Sequence, residues 1–162
     1  MMMETNILKL VAHGLACVAV LSVGVIYGTD TFFALIGRKA LAHSSEAAIA
    51  DVIGHIHEVA DARMPIFGVL GLLASLAFLV IVGLGTLESH LGLIALIAQV
   101  LFLILYTMYS KPINMRLRQA ARSKLVPADT RQMQERWDRV VVIRASLLFI
   151  AMACLFLAAV IL

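Results

Sequence analysis

Charge is scarce in this chain. Only 14% of its 162 residues are Asp, Glu, Lys or Arg, against roughly 25% in soluble domains. A solvent-facing surface cannot be built from that supply, so an ordinary soluble domain is excluded. Cysteine is scarce too. Cys17 and Cys154 lie far apart in apolar runs, without C-x-x-C spacing. That excludes a disulfide scaffold and reads as two buried free thiols. There is no internal repeat, no low-complexity segment and no lipid-anchor motif. What is abundant is apolar sequence: 62% of residues are hydrophobic, and the mean hydropathy is +1.00. The length fits one domain, and the composition makes it integral to a membrane.

Four apolar runs are long enough to approach the roughly 20 residues that cross a bilayer core. They cover about residues 7–27, 64–84, 91–109 and 140–162. Lipid offers no water to backbone groups, so spanning segments are helices or a closed barrel. Continuous apolarity without alternation excludes the barrel. The expected fold is therefore all-α: one four-helix transmembrane bundle, up-and-down. The first run continues to Gly28 without a small-residue cleavage site, and Glu4 weakens the positive start. It reads as a retained helix rather than a signal peptide.

The basic residues set the direction of threading. Eight of the thirteen lie between Lys111 and Arg139, and Arg38, Lys39 and Arg63 lie between the first two spans. The other side receives Lys9 alone. Eleven against one predicts that both longer connections face the cytoplasm of an inner membrane and both termini face away. The clustering beside apolar runs accounts for the net charge of +3 without a nucleic-acid partner. The expected partners are the bilayer and a small lipophilic or aromatic molecule, with homo-oligomerisation open.

The long connections are helix-friendly. Ser44 or Ser45 can cap a helix entering the second span, which contains Pro65. Pro112 is expected to turn the chain after the third span, with Asn114 capping the next helix. Val126–Pro127–Ala128 is the next break, and Asp129 or Thr130 can cap a helix leading into the fourth span. Tyr109 and Trp137 fall near the cytoplasmic interface, where aromatic rings collect. Gly14, Gly24, Gly68, Gly71, Gly83 and Gly85 permit close helix contact.

Polar groups at membrane depth are costly unless paired, so they carry the functional reading. The densest cluster is His55, His57, Glu58, Asp61 and Arg63. On a helix His57 and Asp61 share one side, and His55 and Glu58 share another. A carboxylate behind an imidazole orients it and raises its basicity. Proton transfer or ligand binding follows on one reading, and an interfacial ion-pair cluster on the other. The order on this helix is His55-x-x-Glu58, and no other helix supplies Glu-x-x-His, so no metal site is assigned. His13, inside the first span, either bonds a neighbouring helix or ligates haem. His90, in the short outer loop, is an ordinary residue or a partner for His13, and His43 reads as solvated. Asp30, at the end of the first span, is a candidate partner for an arginine. Arg144 follows Trp137 by seven positions on the same helix face. It either snorkels or faces the interior to hold Asp30, Glu58 or an anionic substrate.

Pro112-x-Asn114, a charged helix, and then Trp137 and Arg144 entering the last span resemble the small four-helix anthrone-oxygenase-like membrane proteins. Gly28, Phe32 and Phe33 add to the resemblance, which covers the length and topology of the chain. It implies oxidation of an anthrone-like substrate without a conventional cofactor. A second resemblance runs from Leu10 to Phe33, where an early His13 and an aromatic exit are similar to haem-associated membrane oxidases related to protoporphyrinogen oxidation.

The expected site is a polar pocket near the cytoplasmic face walled by Asp30, His57, Glu58, Asp61, Asn114, Trp137 and Arg144. In an oxidase- or oxygenase-like enzyme, His57 backed by Asp61 abstracts a proton, while Arg144 and Asn114 steady an oxyanion. The alternatives are a non-enzymatic binding or assembly protein, and a haem- or metal-binding protein using His13. The cofactor is not assigned.

Overall fold

The computed structural model describes the backbone of residues 2–162 and the side chains of residues 6–162. It is an all-α bundle of four long helices: α1 (Asn6–Ala42), α2 (Glu46–Val82), α3 (Leu87–Ser123) and α4 (Thr130–Ile161). All four are long and apolar enough to cross a membrane. Leu10 and Leu21 of α1, Ile66 and Val80 of α2, Ile97 of α3 and Phe149 of α4 all point outward. A soluble surface does not carry large apolar side chains on every helix; a lipid-facing one does.

The helices outrun their apolar runs because the flanking sequence also favours helix. α1 continues through Asp30 to Ala42 by way of a π-helical turn at Phe33–Gly37. Pro65 is accommodated inside α2. Pro112 does not turn the chain after the third span. The helix passes through it, and a π-helical turn at Tyr106–Ser110 comes just before. A proline ring clashes with the carbonyl four residues back, here Met108, and the wider turn covers that position. Asn114 therefore sits within a continuous helix and caps nothing.

The chain forms two compact units, and each long helix contributes to both. The first unit comprises the chain up to Tyr27, Ile66–Leu101 and Ser146–Leu162. Its packing face on α1 is built from alanine: Ala12, Ala16 and Ala19 are fully buried, and Ala12 and Ala16 cluster with Phe78 and Ala158. Small side chains let helices approach in lipid. The glycines divide: a methyl group added at Gly71 of α2 would fall 3.0 Å from the Val23 side chain of α1, whereas one added at Gly14 would meet nothing within 4 Å. Nor are both thiols buried, because Cys17 is exposed on the outer face of α1. The ends of α1 and α4 meet where Lys9 Nζ donates to the Leu162 carbonyl at 2.7 Å. The start of α1 and the end of α4 thus lie together, as an even number of spans requires. Between α2 and α3, Gln99 Nε2 donates to Ser75 Oγ at 2.8 Å, and Ser75 donates back to the Gly71 carbonyl.

The second unit comprises Gly28–Pro65 and Phe102–Ala145. Its core is Phe33, Ile49, Ile53, Leu117, Met133, Trp137 and Val141. Gly54 lets α2 lie directly on α3: a Cβ there would fall 2.3 Å from the Leu117 carbonyl oxygen. Ser45 caps the start of α2 by accepting from the Ala48 N–H at 3.2 Å, whereas Ser44 bonds back to the Ala40 carbonyl. Arg131 of α4 donates to the Leu41 carbonyl at 2.9 Å and to the Ser44 carbonyl. It satisfies carbonyls that the end of α1 leaves open. The basic stretch therefore also helps to close the fold.

The connection between α3 and α4 is closed by charge. Arg116 donates to both carboxylate oxygens of Asp129 at 2.9 Å. Those hydrogen bonds, and then the guanidinium charge, hold the Asp129 carboxyl below the usual Asp range. A depressed folded pKa contributes stability above the unfolded value and loses it as pH falls through the folded value. Corrected amide exchange in residues 124–130 is therefore expected to stay flat from neutral pH down to about 4, the ordinary Asp value, and to rise below it. Asp129→Asn should abolish that acid-dependent rise.

Candidate functional site

The second unit holds a buried polar cluster centred on Arg144. Trp137 and Arg144 lie two turns apart on one face of α4, and both are buried. Arg144 points inward. One terminal nitrogen (Nη2) donates to Asp30 Oδ1 at 2.8 Å, and the other (Nη1) to Ser110 Oγ at 2.7 Å. The side chains of Arg144 and Asp30 are only 7% and 4% exposed. The guanidinium carbon also lies 5.0 Å from the centre of the Phe102 ring, 5.5 Å from Tyr106 and 5.9 Å from Trp137. Aromatic faces attract a cation, the more so when water is excluded. The arrangement places one cation in apolar surroundings with a carboxylate, a hydroxyl and three rings about it.

A second chain of hydrogen bonds runs beside the first. Trp137 Nε1 donates to Asn114 Oδ1 at 3.0 Å. Asn114 Nδ2 donates to Asp61 Oδ1 at 2.9 Å, and Tyr106 OH donates to the same oxygen at 2.8 Å. Trp137 is thus not an interfacial belt residue but the junction of the cluster, with Phe33 packed edge-on against it at 5.2 Å. Tyr109, by contrast, is exposed.

Five histidines are present, and four are exposed. His13, His43 and His90 each use Nδ1–H to bond a carbonyl four residues back, on Lys9, Lys39 and Thr86 respectively. His55 lies on the surface between Asp51 and Glu58. His57 alone is buried, at 3% exposure. Its ring lies 5.4 Å from the Trp137 ring, and its Nε2 has no hydrogen-bond partner. Asp30 Oδ2, Thr31 Oγ1 and Arg144 Nε in the same unit are also without partners.

The structure brings together Asp30, His57, Asp61, Asn114, Trp137 and Arg144 in this unit. Two expectations need correction. Asp61 does not back His57 through a hydrogen bond: its Oδ1 is taken by Tyr106 and Asn114. Glu58 is not a wall of the cluster: it lies at the surface, held by Arg122 and beside His55. His13 belongs to the first unit and faces outward. Among the described residues, no group of three or more His, Cys, Asp or Glu is placed to hold a metal ion.

Ser110, Tyr106 and Phe102 were not singled out in the sequence. Their signal is spacing: with Asn114 they recur every four residues along α3.

No family model, curated protein or solved structure matches the chain. A desolvated arginine favours a developing negative charge, and an unpartnered imidazole nitrogen accepts a proton.

Proposed function

We propose that this membrane-embedded four-helix protein is oxidase- or oxygenase-like and acts on a small aromatic or lipophilic molecule at the Arg144–Trp137 cluster. One observation carries the reading. Among five histidines, the single buried one keeps an unpartnered Nε2 beside a desolvated arginine. His57 takes a proton from an acidic C–H of an enolisable aromatic ketone. Arg144, with its Nε still free to donate, steadies the enolate oxygen, and Asn114 assists. The carbanion then reduces dioxygen. Overall a CH2 group and O2 become a C=O group and water, so atoms and electrons balance with dioxygen as the only oxidant. Asp61 orients Asn114 and Tyr106 in this scheme rather than the base.

The test is oxygen uptake with quinone formation by the full chain reconstituted in lipid, using anthrone as the probe. General-base assistance is worth about 100-fold or more, so His57→Ala is expected to cut turnover by at least that factor. Activity of the variant within twofold of the parent would overturn the assignment. A second reading is favoured by the continuous Tyr106–Asp61–Asn114–Trp137 chain, which ties α2, α3 and α4 together. There the cluster only locks helices. It predicts no turnover in the parent protein and a stability loss alone in His57→Ala.

A further inference from the structure

On the side of α3 away from Ser110 and Asn114, a groove of about 510 Å³ opens between α3 and α4. Arg116, Arg136 and Arg139 line it together with Tyr109, Met133 and Val140. It shares no residue with the buried cluster and lies wholly within the second unit. Arg116 is engaged by Asp129 in a two-bonded ion pair. Arg136 and Arg139 are exposed and make no hydrogen bond or ion pair with any described residue. With three arginines against the one carboxylate of Asp129, the groove keeps a net positive charge at one end, while its other wall is apolar.

We propose that this groove seats an anionic phospholipid of the surrounding bilayer, its phosphate held by Arg136 and Arg139. Two guanidinium forks match phosphate oxygens in geometry as well as charge. Tyr109 and Val140 continue the groove along the apolar part of α3 and α4, where an acyl chain runs. A free inorganic phosphate would use the arginines but have nothing to place against that wall. Basic pockets between membrane helices on the cytoplasmic side bind acidic headgroups, and the charge count along the chain puts this groove on that side.

The experiment is native mass spectrometry of the full chain from detergent containing phosphatidylglycerol and phosphatidylcholine in equal amounts. Phosphatidylglycerol retention is expected to exceed phosphatidylcholine retention by about thirtyfold, given about one kcal/mol for each of the two arginines. Arg136→Gln with Arg139→Gln should remove that preference. Lys39→Gln with Lys124→Gln deletes the same charge on exposed residues elsewhere and should keep it. Equal loss in both double variants would reduce the effect to net charge and overturn the proposal. Displacement of the lipid by millimolar inorganic phosphate would also overturn it, in favour of a bare anion site.

Discussion

Arg144→Met is expected to destabilise the protein by about 3–5 kcal/mol, the usual cost of removing one partner from a buried ion pair. The size follows from the group left behind. Asp30 is 3% exposed, and its Oδ1 accepts from Arg144, whose other terminal nitrogen is held by Ser110. Without Arg144 the carboxylate keeps its desolvation cost and loses its cation. Asp30→Leu should be damaging for the mirror-image reason. The double variant Asp30→Leu with Arg144→Met removes both charges, and an apolar replacement of a whole buried pair is often neutral. It should recover most of the loss. Titration with SDS from mild detergent micelles, followed by circular dichroism, measures all four proteins. Additive losses in the double variant would show that the two side chains do not act as a pair.

The second large effect is at Gly54. Its Cβ position lies 2.3 Å from the Leu117 carbonyl oxygen and 2.6 Å from the Ala121 methyl group. A backbone carbonyl cannot rotate out of the way, so α2 and α3 must separate. Overpacking of a close contact costs about 1–3 kcal/mol, and Gly54→Val, with three added carbons, should reach the upper end. Gly14→Val is the matched comparison, because the Cβ there has open space. It should change stability by no more than about 0.5 kcal/mol, as surface substitutions generally do. The same unfolding titration reads both. Equal midpoints for the two variants would mean that α2 and α3 do not pack through Gly54.

These two sites differ in how far the sequence disclosed them. The Asp30–Arg144 pair was legible in part: acidic residues are few and the seven-residue step from Trp137 puts Arg144 on one face with it, but Glu58 or an anionic substrate remained open as its partner. The spans were legible because lipid imposes unbroken apolar runs. Gly54 was not, because its value depends on which face of α3 lies opposite. Nor were the hydrogen-bond partners of Asp61. Helix spacing placed it beside His57, but spacing within one helix says nothing of Tyr106 and Asn114 arriving from α3. The three π-helical turns, at Phe33–Gly37, Ile49–Ile53 and Tyr106–Ser110, compound this. Each rotates the following helix relative to a 3.6-residue count, so faces assigned on one side of a turn do not carry over to the other. Pro112 is the clearest case. A proline after an apolar run reads as a stop, yet the wider turn before it lets the helix continue and delivers Asn114 to Trp137.

In the proposed function His57 is the ligand-facing base of a buried site. Nitrogen NMR of histidine-labelled protein in lipid nanodiscs tests it most directly, with anthrone added under nitrogen to prevent turnover. The account predicts that the His57 Nε2 resonance shifts on ligand addition while those of exposed His13, His43 and His90 stay in place. A His57 resonance that does not move at saturating ligand, or shifts confined to the exposed histidines, would contradict it.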